Sequence, residues 1–392
     1  MERQNRLLCE GLARLGNEVH VITTGHPEGL EFLRKGEVAY HFLKGTPPGR
    51  YTTLFWQRSA DKFQELHQNI NFDLICSHSL GAFGYYRFGD KEREVPYTVV
   101  LQGTTLSDLH SIWIGVRQSP TFIEIAKFLY RLGRLIRYYL LCWRGFLSQA
   151  SKIIAVSREI AETAIKEYGL VREKVVTIPN AVDMDVFKVS SQKRNYIRER
   201  YGIGEKEVLL LVAGRVEADK GMDLAVKALP EIVKKRENVK LMIVGKGSYY
   251  PNLSKIVSRL SLNDKVILCG YVKNDEMPDY INACDIFLNP TIRFEGFPLI
   301  IPEVMACGKP IIASRIGGIP SAVEDGRDGI LVEPGSIKSL VDKIIELIDD
   351  QSLADKLSEN GRRRAEMDFS QGRVVEQYLD VFDTCLRALD ND

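Results

Sequence analysis

Short runs of Val, Ile and Leu alternate with helical patterns along almost the whole chain. In the first half the runs fall at 18–23, 38–43, 72–77, 97–103, 152–157 and 174–179. In the second half they fall at 207–214, 239–247, 265–270, 284–290, 309–314 and 328–334. Each is short, rich in Val, Ile and Leu and closed by Gly, Ser or Pro, as expected of a strand buried on both faces of a parallel sheet. The segments between them carry a helical period, so the pattern predicts repeated βαβ units and an α/β fold.

The alternation breaks once, at "IPNAVDMDVFKVSSQKRN" (178–195), which is rich in turn residues and has no clear period. We place an interdomain linker between Pro179 and Ser191. The expected domains are 1–185 and 186–370, with a last helix in 371–392 that follows the end of the sheet pattern and crosses back to the first domain. Two Rossmann-like halves of this kind are expected to face a cleft. Open α/β sheets bind ligands beyond the carboxyl ends of their strands. The candidate positions are therefore Gly214 and Arg215, Gly245 with Lys246 and Gly247, Tyr271 and Val272, and Thr291 to Glu295.

Composition narrows the function classes. A chain of 392 residues with a net charge of +1 has no basic excess for a nucleic-acid partner. It has no apolar run long enough to span a bilayer and no apolar leader at its start. Its seven cysteines include no C-x-x-C pair, which reads as reduced thiols in a cytoplasmic protein. All six histidines lie within the first 110 residues, so an imidazole cluster in the second half is excluded.

The chemistry-bearing residues sit at the strand ends of the second half. In "AGRVEADKG" (213–221) Arg215 directly follows a strand and Lys220 precedes a helix. Two cations at a helix N-terminus suit a diphosphate, although a solvated basic loop has the same sequence. "GKG" (245–247) is a glycine turn at the next strand end, without the third glycine of a dinucleotide fingerprint. In "RFEGFPLIIPEVMACG" (293–308) Pro298 suits the first turn of a helix ending near Gly308. Glu303 then lies inside that helix and Glu295 in the loop before it. A buried carboxylate needs a donor. The residues alone leave two readings open: both glutamates face one ligand, or Glu303 pairs with a basic side chain and Glu295 is solvated. Gly317 and Gly318 form a further turn that is expected to close over the same place.

The stretch "FEGFPLIIPEVMACGKPIIASRIGGIPSAVEDGRDGILVEPGS" resembles the donor-site signature of retaining GT-B glycosyltransferases, family four (glycosyl transferases group 1). "AGRVEADKG" resembles that family's diphosphate-binding segment, and "IPNAVD" its interdomain "IPNGVD" with Ala181 in place of glycine. The resemblance extends over essentially the whole chain. It implies that Arg215 and Lys220 neutralise the leaving nucleotide diphosphate, that Glu303 holds the ribose hydroxyls, and that Glu295 contacts the donor sugar. It implies that Gly296, Phe297, Pro298 and Leu299 support sugar or phosphate, partly through backbone N–H groups. Gly214 and Gly245 would let the backbone approach the donor, and Val272 would line the base pocket. The co-substrate is then a UDP-, GDP- or ADP-sugar, with no cofactor and no metal, since fixed cations serve the diphosphate.

Two departures from the family lie in the first half. Met1 already falls within a helical pattern, so the first strand of the first domain and its glycine-rich loop are expected to be missing; an absent central strand exposes sheet edges. At "VVLQGTTLSD" the family's histidine is replaced by Gln102, followed by Gly103. An amide can bind a sugar hydroxyl but cannot act as a general base. His78, at the end of the preceding strand, is the alternative imidazole for that acceptor or sugar side.

Segment 111–152 holds seven basic residues (Arg117, Lys127, Arg131, Arg134, Arg137, Arg144 and Lys152) against one acid, Glu124, interleaved with aromatic and aliphatic side chains. Such a helix suits an anionic membrane surface, or it is a domain helix with a solvated basic face. The sequence thus leads to a retaining transferase that moves a sugar to a glycan or lipid-linked acceptor, cytoplasmic and peripheral on the inner face of the membrane. The competing reading is a catalytically weak GT-B scaffold that binds nucleotide sugar.

Overall fold

The computed structural model describes residues 2–89, 95–107, 109, 125–126, 128–130, 132–133, 136 and 144–389. These form two compact units. One gathers the described residues of 1–106, 129–180 and 371–392, the other those of 107–128 and 181–370.

The second unit is one parallel sheet of six strands: β8 (Val208–Ala213), β9 (Val239–Val244), β10 (Val266–Gly270), β11 (Ile286–Asn289), β12 (Ile311–Ser314) and β13 (Ile330–Val332). Their order is β10-β9-β8-β11-β12-β13. The chain thus builds outward from β8 on one side, then returns to start again beside it with β11. This reversal is a topological switch point, where helices diverge to opposite faces and open a crevice beyond the strand ends. The strands are buried because helices cover both faces. The helix Met222–Lys235 buries Met222, Ala225, Val226, Leu229 and Ile232, a stripe at three- and four-residue spacing.

The first unit contains two sheets. β4 (Ile75–His78), β5 (Tyr97–Leu101), β6 (Lys152–Ala155) and β7 (Val175–Thr177) are parallel and adjacent in that order. The other sheet has the order β1-β3-β2, with β1 (Val19–Thr23) parallel to β3 (Val38–Phe42) and β2 (Phe32–Lys35) antiparallel to it. β1 and β4 are both edge strands of their sheets. Burial agrees: all five residues of β1 are half-buried, whereas all five of β5 are buried.

The last helix, Gln371–Leu389, lies in the first unit against Glu2–Arg14. Gln371 Nε2 donates to the Leu7 carbonyl at 2.6 Å. Gly11 lets the two helices approach, since a Cβ there would overlap Val375. Among the described residues no helix is long and apolar enough to cross a membrane. Of the basic segment, Glu124, Arg117, Lys127, Arg131, Arg134 and Arg137 lie outside the described residues. Lys152 Nζ donates to the Glu173 carbonyl at 2.8 Å.

Candidate functional site

β8 and β11 are neighbours in the sheet, and the segments after them converge. Gly214 and Arg215 leave β8, a single turn Ala218–Lys220 follows, and Gly221 turns the chain into the helix Met222–Lys235. Gly221 has φ +66°, and a Cβ there would overlap the Pro290 carbonyl oxygen, so only glycine admits the β11 exit at this distance. The two segments are then stitched together through one acceptor. The Asp219 carbonyl receives the backbone N–H of Ile292 at 3.0 Å and of Arg293 at 3.1 Å. It also receives the Thr291 hydroxyl at 3.1 Å.

This stitching sets Lys220 against Glu295. Lys220 Nζ lies 2.9 Å from Glu295 Oε2, with side-chain exposures of 20% and 14%. Glu295 Oε1 is buried and accepts no hydrogen bond. Its backbone is held from the other side: the Glu295 carbonyl accepts the Gly318 N–H at 2.7 Å. Gly317, at φ +58°, packs so closely on Glu295 that a Cβ would stand 2.7 Å from the Glu295 nitrogen. The glycine pair therefore does close over this site. Behind it, Arg293 Nη1 lies 3.5 Å from Asp219 Oδ2, while Asp219 Oδ1 is buried without a partner.

Arg215 is exposed and makes no ion pair among the described residues. Glu303 is only 6% exposed, in the first turn of the helix Ile300–Ala306. That helix starts later than Pro298 suggested. Leu299 is its N-cap, and Pro298 instead accepts the Ile301 N–H at 3.2 Å as a turn. The helix ends as expected, with Gly308 at φ +62°. Phe297 is buried edge-on against Phe369, with ring centroids 5.4 Å apart, which leaves its backbone as the group able to meet a ligand. Gly296 and Leu299 flank it in the same loop. Farther along the sheet edge, the Gly245 N–H donates to the Gly270 carbonyl at 2.8 Å, tying the β9 and β10 exits together. Val272 is nearly buried there, and Tyr271 is 68% exposed.

The first-unit candidates behave differently. Gln102 and Asn180 exchange both halves of their amides: Gln102 Nε2 donates to Asn180 Oδ1 at 3.0 Å, and Asn180 Nδ2 to Gln102 Oε1 at 3.1 Å. Gln102 is thus tied to the "IPNAVD" segment, and Gly103 follows it out of β5. His78 is half-buried, with its Nδ1 shielded from solvent and making no hydrogen bond. Burial pushes its pKa down to about 4, so the imidazole is neutral at neutral pH. The one Asp-x-Asp of the linker is a turn: Asp183 Oδ1 accepts the N–H of Asp185 at 3.0 Å and of Val186 at 3.1 Å. Among the described residues no group of three or more His, Cys, Asp or Glu converges as a metal site.

Residues 193–364 match the model of glycosyl transferases group 1, and residues 1–186 that of glycosyltransferase family 4. The chain belongs to the group 1 glycosyl transferases of family 4. Across 97% of this chain and 92% of the relative, it is 26% identical to the N-acetyl-alpha-D-glucosaminyl L-malate synthase of Bacillus anthracis. Its fold is that of sucrose-phosphate synthase from Thermosynechococcus elongatus, with a TM-score of 0.77 at 19% identity over 98% and 93% of the two chains. Anabaena HepE, solved in complex with UDP-glucose, superposes with a TM-score of 0.68 at 21% identity over 88% and 86%. The glycosyltransferase therefore has the GT-B fold, and related enzymes of that fold bind nucleotide sugars.

Sequence reasoning did not single out Asp219; Thr291 and Arg293 fell within the candidate segment Thr291 to Glu295 but were given no part of their own in this site. Asp219 and Arg293 stand inside the quoted motifs. Thr291, fully buried, had only its place after β11 as a signal.

Proposed function

We propose that this glycosyltransferase moves a sugar from a nucleotide-diphosphate donor to a glycan or lipid-linked acceptor with retention of anomeric configuration. The observation that carries the reading is the Lys220–Glu295 pair at the switch point, whose Glu295 keeps one buried oxygen free to accept. Glu295 Oε1 would take a hydroxyl of the donor sugar. Lys220 and Arg215 would stand at the diphosphate. As the bond from the anomeric carbon to the β-phosphate oxygen breaks, negative charge grows on that oxygen, and two fixed cations stabilise it. The acceptor oxygen bonds the anomeric carbon on the same face and its proton passes to the leaving phosphate, so the protein needs no base of its own. That suits a chain with Gln102 at the position of the family's histidine. Buried Glu303 would receive the ribose hydroxyls, and the Val272 region the base. Charge neutralisation by Arg215 and Lys220 makes the reaction metal-independent in this reading. Such an acceptor would belong to cell-surface polysaccharide, glycolipid or glycoprotein synthesis, and the basic composition of segment 111–152 would suit the anionic inner face of a membrane.

A thermal-shift screen of UDP-, GDP- and ADP-sugars, followed by a transfer assay with the stabilising donor, tests this. Stabilisation by one donor and loss of turnover in Glu295→Ala is expected. Stabilisation with neither transfer nor hydrolysis overturns the catalytic reading in favour of a donor-binding scaffold, which one observation favours: the Gln102 amide spends one N–H and its oxygen on Asn180.

A further inference from the structure

The opposite edge of the second-unit sheet has a cavity of its own. At the amino ends of β8, β11 and β12 a space of about 300 Å³ is lined by Val208, Ile286, Pro310 and Leu347 together with charged side chains. Parallel strands place this edge away from the exits that carry Arg215, Lys220 and Glu295, so it is not an extension of that site.

The acids around the cavity divide into engaged and exposed. Asp285 is saturated: Oδ1 meets Arg194 Nη2 at 2.6 Å, and Oδ2 accepts the Leu209 N–H at 2.7 Å and Arg198 Nη1 at 3.3 Å. Glu207 Oε2 holds the Gly204 N–H at 2.7 Å and Lys240 Nζ at 3.0 Å. Glu205 and Asp355 are exposed at the rim with Lys206, and Asp355 accepts from Gln351 at 2.8 Å. Of the cations, Arg194 is spent on Asp285 and on the carbonyls of Ala283 and Cys284. Lys309 is left over. Its partly buried amine makes no hydrogen bond or ion pair among the described residues. Burial pulls its pKa below the ordinary lysine value and the nearby Arg194 charge acts in the same direction, while Cys284, Asp285 and Cys307 act against them.

An ammonium held partly out of water, whose neighbouring carboxylate Asp285 is already engaged by Arg194 and Arg198, is costly, and an anion delivered to it relieves that cost. We propose that this cavity is a second ligand site that takes a small oxyanion, a carboxylate or a phosphate, on Lys309. The apolar wall of Val208, Ile286 and Leu347 gives room for a short carbon skeleton behind the anionic group, and the volume limits the ligand to a small metabolite.

The test is NMR of the full chain labelled with 13Cε-lysine, the Lys309 resonance being assigned by its loss in Lys309→Met. Inorganic phosphate and malonate are titrated separately against sodium chloride of equal ionic strength. A saturable shift of the Lys309 signal at millimolar ligand, with a rise in its pKa, is expected for at least one of the two, and which one identifies the oxyanion. In Ser358→Leu, which fills the cavity while keeping the lysine, apparent affinity should fall about tenfold or more. A Lys309 signal that follows chloride as closely as both probes, or a shift unchanged in Ser358→Leu, overturns the site.

Discussion

Lys220 Nζ sits 2.9 Å from Glu295 Oε2, across 75 residues of sequence, at the single place where the sheet reverses its winding. The pair is built by backbone: one carbonyl, that of Asp219, receives three donors from the β11 exit. Replacing Lys220 by Ala removes a cation that stabilises the leaving diphosphate, and a loss of about 10²-fold in kcat is expected for one such group. Glu295→Ala should cost at least about tenfold, by loss of the sugar contact. Kinetics with the donor found by screening check both. If neither variant changes turnover, the site assignment fails.

The same pair separates catalysis from stability. Lys220→Met leaves a largely buried carboxylate without its counter-charge, and a partly solvated pair loses less than the 3–5 kcal/mol of a fully buried one, about 1–2 kcal/mol. The double variant Lys220→Met with Glu295→Gln should recover most of that loss in urea unfolding while remaining inactive. A double variant less stable than Lys220→Met contradicts the pairing.

Gly317 carries a sharper test of the loop that covers Glu295. At φ +58° and in contact with the Glu295 backbone, it accepts no side chain without displacing that residue. Gly317→Ala should lower kcat by more than tenfold with a stability cost of about 1–2 kcal/mol, the usual range for alanine forced into positive φ. Gly326→Ala, also at positive φ but with open space around it, is the control and should cost stability alone.

Much of this was legible in the sequence because buried parallel strands announce themselves. Every apolar run expected as a strand is one, from Val19–Thr23 to Ile330–Val332. β2 was missed because all four residues of Phe32–Lys35 are exposed, which leaves no apolar pattern to find. Arg215, Lys220, Glu295 and Glu303 could be named as candidates because each lies at a strand exit or inside the motif after one, and the structure brings Lys220 and Glu295 together. What was not legible is the pairing. The 2.9 Å contact and the Gln102–Asn180 exchange join residues 75 and 78 positions apart. The Asp219 clamp is largely backbone, to which side-chain identity gives little clue. Pro298 misled for a related reason: proline suits a first helical turn, but its carbonyl here closes a separate turn before the helix.

That amide exchange predicts a coupling that no motif suggests. Gln102→Ala removes two hydrogen bonds from buried Asn180, 3% exposed, and the loss of a buried hydrogen-bonding group costs about 1–3 kcal/mol. Adding Asn180→Ala should cost less than the sum of the two single changes, read from urea midpoints at constant m-value. Additive losses would mean that the two amides do not act as a pair.

His78 makes the pH dependence of the fold specific. Its folded pKa is about 4, against an ordinary value near 6.5 in the unfolded chain, and the cause is burial. Between those two values the unfolded state binds more protons than the native state, so stability rises with pH in that window. Above pH ~6.5 both states hold a neutral ring and His78 contributes no slope. As pH falls from 6.5 toward 4 the protein should lose up to roughly 3 kcal/mol through this residue, with no further loss below. Carboxylates titrate in the same range, so the informative quantity is the difference between the wild type and His78→Gln. The difference in unfolding free energy should be flat above pH 7 and shift steadily in favour of the variant from pH 6.5 to 4. A pH-independent difference would mean that the fold does not desolvate this imidazole.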